Sequence, residues 1–326
     1  MRAVIVEQPG GPEALTLVER ESPEPGPGEV RVDVAAGGVN FIDIYQREGR
    51  YPLDLPFVGG NEGAGTVSAV GEGVEGVREG DRVAWAMVPQ TGYAEQVLVP
   101  AARLVPVPEG MDLEQAAAAM LQGMTAHYLV TSTFEAREGQ TAVVTAASGG
   151  VGLLLCQMLS ARGVRVIGTV GREEKVQLAK DAGADEVVLY REVEDLGEEV
   201  RRLAGEDGVD VVYDGVGKDT FHESLEAVRP RGTVALFGAA SGPVEPFDPQ
   251  LLNTHGSIFL TRPSIGAWTS GEGEFRMRAQ AVTQAVVDGT LRFRISGSYD
   301  LSKAAQAHRD LQARRTTGSI VLHVQD

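Results

Sequence analysis

The chain changes its hydrophobic rhythm twice. Up to about residue 110, apolar positions fall in short runs: Val4 to Val6, Val30 to Val34, Gly65 to Val70, Arg82 to Ala86 and Ala94 to Val99. Polar clusters rich in glycine and proline, such as ESPEPGPGE, separate them. Runs this short and this often interrupted predict strands and turns, hence a β-rich module built as a barrel or sandwich.

Near Asp112 the texture becomes helical. Asp112 can cap an alanine-rich helix over Leu113 to Leu121, and a second helical stretch runs to about Val130. From Thr141 onward, apolar runs alternate with helical periodicity. The runs Ala142 to Ala146, Val164 to Val170, Val187 to Tyr190, Val209 to Tyr213 and Val234 to Phe237 predict parallel strands buried on both faces. Helices are predicted over Val151 to Ala161, Glu173 to Ala182, Leu196 to Leu203 and Thr220 to Val228. The alternation predicts an α/β, doubly wound parallel sheet. After about Ile265 it stops, leaving a helix (Glu274 to Asp288) and a final strand (Ser319 to Val324) that could rejoin the first module.

Composition narrows the function classes. The net charge of -17 opposes nucleic acid or an anionic membrane surface as the main partner. A single cysteine, Cys156, excludes an internal disulfide and a cysteine-rich zinc site. The opening MRAVIVEQPG lacks an apolar stretch of signal length, because Glu7 interrupts it, so a cytoplasmic protein is expected.

The segment TAVVTAASGGVGLLLCQMLSARG carries the most chemistry. A buried strand runs into the turn Ser148, Gly149, Gly150, Val151, Gly152 and then into a helix. Gly149 and Gly152 take the second and third positions of a dinucleotide fingerprint, with Ala147 where the first glycine is usual. The helix N-terminus would offer N–H groups to a pyrophosphate. Cys156, on that helix, is expected to be a small buried hydrophobe.

An NAD-type site usually places a carboxylate about 20 residues past such a turn. Here that slot falls near Val170 and Gly171 and is followed by Arg172 and Lys175. The missing acid removes repulsion, and the cations suit a 2′-phosphate, so NADPH is the expected cofactor. Only four lysines occur in the chain, so Lys175 does not belong to a general lysine-rich surface.

GNEGAGTV (Gly60 to Val67), VGEGVEGVREGDRV (Val70 to Val83), AAAAMLQGMTAHYL (Ala116 to Leu129), TAASGGVG, GTVGREEK, YDGVG, LFGAASG, LTRPS and RRTTGS together resemble the zinc-independent quinone oxidoreductases, relatives of zeta-crystallin within the medium-chain dehydrogenases/reductases. The resemblance implies a GroES-like catalytic domain over residues 1–123 and 266–326. It implies a Rossmann domain over 124–265, with a cleft between the two. It also implies homodimers, or tetramers assembled from dimers, formed by pairing of Rossmann sheet edges, with Ile258 to Leu260 as the candidate edge. By the same resemblance Tyr190 and Arg314 join Lys175 around the adenosine phosphate. Gly171, Phe237 and Gly238 line the cofactor groove, and Asn40, Asp43, Tyr45 and Thr125 face the nicotinamide end. Arg172 stands where relatives carry a small polar residue.

Zinc alcohol dehydrogenases of the superfamily have a cysteine at the position of Asn40 and a histidine at that of Asn61. Neutral amides are poor zinc ligands, and Glu62 alone makes no site, so no metal is expected. His127 reads as a packed or surface helix residue. Without a Lewis acid the favoured acceptor is a quinone, reduced by hydride or single-electron transfer. Asn40 and Tyr45 are candidate donors to a developing oxyanion, with a turn amide and a buried aromatic as their plain structural roles. Two other readings stay open: NADPH-dependent reduction of 2-alkenal or enone double bonds, and a non-catalytic NADPH-binding protein.

Overall fold

The computed structural model describes residues 1–205 and 207–324. The chain divides into two compact units. Unit one holds Met1–Met124, Thr269–Gly289 and Phe293 to the C-terminus; unit two holds Thr125–Trp268 and Thr290–Arg292.

Unit one begins with strands β1 (Arg2–Val6), β2 (Leu15–Glu19) and β3 (Glu29–Val39), then a short helix α1 (Phe41–Arg47). Strands β4 (Phe57–Val58), β5 (Glu62–Val70), β6 (Arg82–Ala86), β7 (Gln96–Pro100) and β8 (Val105–Pro106) follow, and then helix α2 (Leu113–Tyr128). The expected strand at residues 30–34 extends to Val39. Two glycines permit this: a Cβ on Gly38 would collide with Glu62 Oε1, and one on Gly37 would collide with the Gly92 carbonyl. The two helical stretches expected between Leu113 and Val130 are one helix, which closes in a wide turn over Leu129–Thr133.

Unit two is a parallel sheet. Its elements are β9 (Thr141–Val144), α3 (Gly150–Ser160), β10 (Arg165–Val170), α4 (Val176–Asp181), β11 (Glu186–Leu189), α5 (Leu196–Ala204), β12 (Val209–Asp214), α6 (Phe221–Ala227), β13 (Val228–Leu236), α7 (Gln250–Thr254), β14 (Phe259–Thr261) and α8 (Ile265–Trp268). The six strands run in the order β11-β10-β9-β12-β13-β14, every neighbouring pair parallel. This is the doubly wound order, with its reversal between β9 and β12. Buried Val143, Ile167, Val212 and Val234 meet Phe221 and Leu225 from α6 in one core. The helix expected to start at Glu173 opens as a tighter turn over Glu173–Lys175 before α4.

Unit one resumes with α9 (Glu272–Val287), β15 (Ile295–Asp300), α10 (Ala304–Gln312) and β16 (Ser319–His323). The hydrophobic pattern predicts α9 and β16 but neither β15 nor α10. Strand β16 pairs antiparallel with β3 and parallel with β15, which completes a seven-stranded sheet that includes β5, β6 and β8. A three-stranded sheet, β2-β1-β4, lies beside it, bridged at Ala3 and Ala94. Val32, Val34, Val67, Trp85, Ile320 and Leu322 build the core of this β-rich unit.

Candidate functional site

The crevice of an open parallel sheet lies at the C-terminal ends of its strands, where the strand order reverses. In unit two that place is bounded by the segments following β9 and β12. After β9 the backbone turns on Ala146, which carries the left-handed φ of 49°, so the tight turn falls one residue before Ala147. Gly149 is the N-cap of α3, and its N–H donates to Ala146 O at 2.8 Å. A Cβ on Gly152 would collide with the same carbonyl, so only glycine permits this close passage of helix over strand. Ser148 is buried; Gly149, Gly150 and Val151 are half-buried at the helix start. The first N–H groups of this eleven-residue helix have no carbonyl one turn back and can face an anion.

At the end of β10 sits Gly171, flanked by Tyr190 just past β11. A Cβ at 171 would come within 3.1 Å of the Tyr190 hydroxyl, so the glycine leaves room for the phenol beside the strand end. Lys175 closes the short turn that leads from Arg172 into α4. Arg172 leans on Glu174 (3.4 Å), and its side chain is half-exposed. The Arg191 guanidinium lies 5.7 Å from the Tyr190 ring centroid. This end of the sheet thus carries Gly171, Lys175 and Tyr190, and the residue directly after β10 is a glycine rather than a carboxylate.

The second wall of the crevice rests on a residue that the sequence shows only as part of the YDGVG motif. Asp214 ends β12, is fully buried, and gathers donors from both sides of the reversal. Its Oδ1 accepts from Thr145 Oγ1 (3.2 Å), Val216 N (2.8 Å) and Gly217 N (3.1 Å). Its Oδ2 accepts from Thr220 Oγ1 and Ser224 Oγ, both at 2.9 Å. Thr145 Oγ1 in turn accepts from Gly215 N at 2.9 Å. The segments after β9 and β12 are therefore tied together through one carboxylate. Phe237 and Gly238 follow β13, and both of their N–H groups donate to Asp214 O. Arg262, from the end of β14, donates to Phe237 O at 2.8 Å. The available signal was a carboxylate closing the apolar run Val211–Val212–Tyr213.

In unit one the candidate catalytic residues gather around the start of α1. Asn40 is its N-cap, and Asp43 Oδ2 accepts from Asn40 N at 2.7 Å, the reciprocal half of a capping box. The Asn40 side chain is locked on both sides. Its Nδ2 donates to Glu62 Oε1 (2.6 Å), and its Oδ1 accepts from Gln122 Nε2 (3.1 Å). Gln122 Oε1 accepts from Ser319 Oγ (2.8 Å), and Glu62 Oε2 accepts from Leu121 N (2.8 Å). Burial pushes the Glu62 carboxyl up, to about 8, against the pull of those two donors.

Asp43 faces inward. Besides Asn40 N it accepts from Asn61 Nδ2 (2.5 Å) and Tyr93 Oη (3.2 Å), and burial raises its carboxyl to about 6. Asn61 exchanges amide hydrogen bonds with Gln46. Tyr45 is buried between Phe41 and Tyr51, and Arg50 sits 4.3 Å over its ring. Thr125 is buried on α2 and counts with unit two, whereas Arg314, with a φ of 54°, follows α10 in unit one. The structure thus brings Asn40, Asp43 and Tyr45 together in one unit. It brings the turn at 148–152 with Gly171, Lys175, Tyr190, Phe237 and Gly238 to one sheet end of the other.

Two cofactors can be tested against these residues. A dinucleotide fits: the open helix start, the bare Gly171 and the tied walls of the crevice are what it requires. Zinc does not. Asn40 and Asn61 spend their amides on Glu62, Gln122, Asp43 and Gln46. Among the described residues no cluster of His, Cys, Asp and Glu could hold a metal ion.

Comparison with known proteins agrees over nearly the whole length. Residues 26–109 match the alcohol dehydrogenase GroES-like domain family, and residues 150–287 match the zinc-binding dehydrogenase family. The chain is 45% identical to a quinone oxidoreductase of Pseudomonas aeruginosa over 96% of both chains. It is 38% identical to a 2-haloacrylate reductase of a Burkholderia species over 98% of both. A mycobacterial protein solved in complex with NADPH is 48% identical, superposes with a TM-score of 0.96, and is matched over 99% of this chain and 100% of that one. The chain belongs to the quinone oxidoreductase family of the medium-chain dehydrogenases/reductases, with a GroES-like domain and a doubly wound dinucleotide-binding domain.

Proposed function

We propose that the protein reduces quinones with NADPH and without a metal ion. The observation that carries this reading is the Asn40 amide, held between Glu62 and Gln122 where a metal ligand would otherwise stand. An acceptor in such a site must be reducible without a Lewis acid, and a quinone is, because its product anion is delocalised over an aromatic ring. Relatives named for quinone reduction and a neighbour holding NADPH support the same substrate and cofactor.

Bound NADPH supplies the hydride. The N-terminus of α3, with Ser148 through Gly152, holds the pyrophosphate. Lys175 and Tyr190 would hold the 2′-phosphate, with Arg172 and Arg314 as further cations for it, and Phe237 and Gly238 would line the groove. Asp214 keeps the two walls of the crevice at fixed spacing. In the catalytic unit, Asn40 donates an N–H to the acceptor oxygen as negative charge develops there, while Asp43 fixes the turn that carries it. Tyr45 and Thr125 bound the acceptor, and water provides the proton.

We further assign residues 1–123 and 266–326 to the catalytic domain and 124–265 to the cofactor domain. A homodimer is proposed through β14, the outer strand of the parallel sheet, where Phe259 is 63% exposed. No helix among the described residues is long and apolar enough to cross a membrane, and the cytoplasm is the proposed compartment.

The likeness to a 2-haloacrylate reductase favours one second reading, reduction of activated carbon–carbon double bonds on the same scaffold. Steady-state rates with 1,4-benzoquinone, 9,10-phenanthrenequinone and 2-alkenals decide between the two. Quinones are expected to turn over faster; preference for alkenals would replace the primary reading.

A further inference from the structure

We infer that Glu62 is a positioning residue whose carboxylate sets the polarity of the Glu62–Asn40–Gln122–Ser319 chain and so decides that Asn40 presents N–H, not oxygen, to a ligand. The inference rests on the proposed role of Asn40 as an oxyanion donor, and its premises are the donors and acceptors themselves.

A carboxylate only accepts. Glu62 Oε2 is taken by the Leu121 N–H at 2.8 Å, which fixes that side. Oε1 then requires a donor from Asn40, so Nδ2 must face it, at 2.6 Å. The Asn40 oxygen is thereby turned to Gln122, which must offer Nε2 (3.1 Å) and present its own oxygen to the Ser319 hydroxyl (2.8 Å). Each amide orientation follows from the one before it, and the first follows from Glu62 alone. An amide carries two N–H bonds. One of Asn40's is spent on Glu62; the second is the one left for an acceptor.

A neutral amide at position 62 reverses the logic. An introduced glutamine must keep its oxygen toward the Leu121 N–H and turn Nε2 toward Asn40. Asn40 must then turn its oxygen to meet that donor, and Gln122 must follow. Ser319 can comply, because a hydroxyl also accepts. The volume and contacts of the chain survive while the group offered to the ligand changes sign.

The test is Glu62→Gln, alone and with Gln122→Glu, in the full-length enzyme. In the double variant the charge has moved to the other end. The new amide at position 62 donates to the Asn40 oxygen, Asn40 donates to the new carboxylate at position 122, and Ser319 still donates. Every bond is then satisfied with Asn40 reversed. At pH 9, where Glu62 is ionised, Glu62→Gln is expected to lower kcat on the order of 100-fold, the cost of one lost oxyanion donor, with KM for NADPH unchanged. Both variants should keep a melting temperature close to that of wild type, and the double variant should not recover the lost kcat. Recovery of kcat in the double variant, or an unaffected kcat in the single one, overturns the inference. Binding of 4-nitrophenolate, an oxyanion probe read by absorbance, separates the two levels of the reading. Wild type should bind it, and both variants should bind it less tightly. If wild type fails to oxidise NADPH with 1,4-benzoquinone yet the phenolate affinities follow this order, the proposed function falls and the polarity assignment stands. Equal phenolate affinities in all three proteins would remove the polarity assignment.

Discussion

The hydroxyl of Tyr93 and Nε2 of His308, 215 positions apart in the chain, share a hydrogen bond of 2.9 Å in the interior of unit one. Arg47 Nη1 lies 3.2 Å from the other ring nitrogen. A guanidinium only donates, so Nδ1 accepts and Nε2 carries the proton, which it donates to Tyr93; the Tyr93 O–H then donates to Asp43. Burial and the adjacent Arg47 push the imidazole down to about 3, so it stays neutral at physiological pH.

Replacing His308 with Phe would strand an Arg47 donor and leave the Tyr93 oxygen without the N–H it accepts, both inside the protein. The expected loss is about 3–5 kcal/mol, the usual cost of breaking a buried charged network on one side. His308→Gln offers an oxygen to Arg47 and an N–H to Tyr93 and should recover more than half of it. Urea unfolding followed by circular dichroism measures both; equal losses would show that packing, not hydrogen bonding, matters at this position.

The parallel sheet was legible because strands buried on both faces are continuous apolar runs, and the turn into α3 because its glycines stand at fixed spacing. Gly171 and Lys175 could be placed by counting from that turn. By contrast α10 hides: its buried residues are Ala304, Ala307 and His308, small or polar, so no apolar stripe marks it. Strand β15, ISGSYD, alternates between half-buried and exposed positions and carries little hydrophobic signal. Helix α1 did carry a signal, the capping pair Asn40 and Asp43, but it has only seven residues. The Asp43–Tyr93–His308 chain joins segments remote in sequence, and no local pattern encodes such a pairing. The oxygens of Asp43 accept from Asn40, Asn61 and Tyr93, partners from three separate segments of unit one that no local pattern links.

Two glycine-to-alanine changes should move stability in opposite directions. At Gly152 the added methyl would run into the Ala146 carbonyl, so α3 must shift off the strand. A loss of about 1–3 kcal/mol is expected, together with weaker NADPH binding. At Gly273, in the first turn of α9, nothing lies within 4 Å of the place a methyl would take, and alanine should stabilise by about 0.5–1 kcal/mol. Thermal melts and NADPH titration by fluorescence report both. A neutral Gly152→Ala would show that the close passage is not required.

Lys175→Ala should raise KM for NADPH on the order of tenfold or more, the scale of a charge-assisted hydrogen bond, and leave KM for NADH nearly unchanged. The contrast isolates the 2′-phosphate, because the two cofactors differ there alone. Arg172→Ala should have a smaller effect, since Arg172 already leans on Glu174. Equal rises for both cofactors on removing Lys175 would place the lysine elsewhere on the dinucleotide.

The buried carboxyl of Glu62 gives stability and activity opposite slopes with pH. Burial raises it from 4.5 to about 8, so between these values the folded protein holds a proton that the unfolded chain has released. Stability therefore falls as pH rises through this window. The titratable groups facing Glu62 are Asp43 and Tyr93. Asp43 titrates near 6 when folded and lower when unfolded, Tyr93 is held well above 10, and the more distant His308 is neutral when folded and, with an ordinary value of 6.5, nearly neutral when unfolded above about pH 7.5. Above about pH 7.5 the slope thus belongs to Glu62, and about 1 kcal/mol is lost there at most. Over the same range kcat should rise, because the carboxylate that forms is what turns the Asn40 N–H toward the acceptor. Glu62→Gln should flatten both profiles. Melting temperatures and kcat measured from pH 6 to 9 on both proteins provide the check: a wild-type kcat that does not rise, or a variant that keeps the wild-type slopes, would separate Glu62 from both effects.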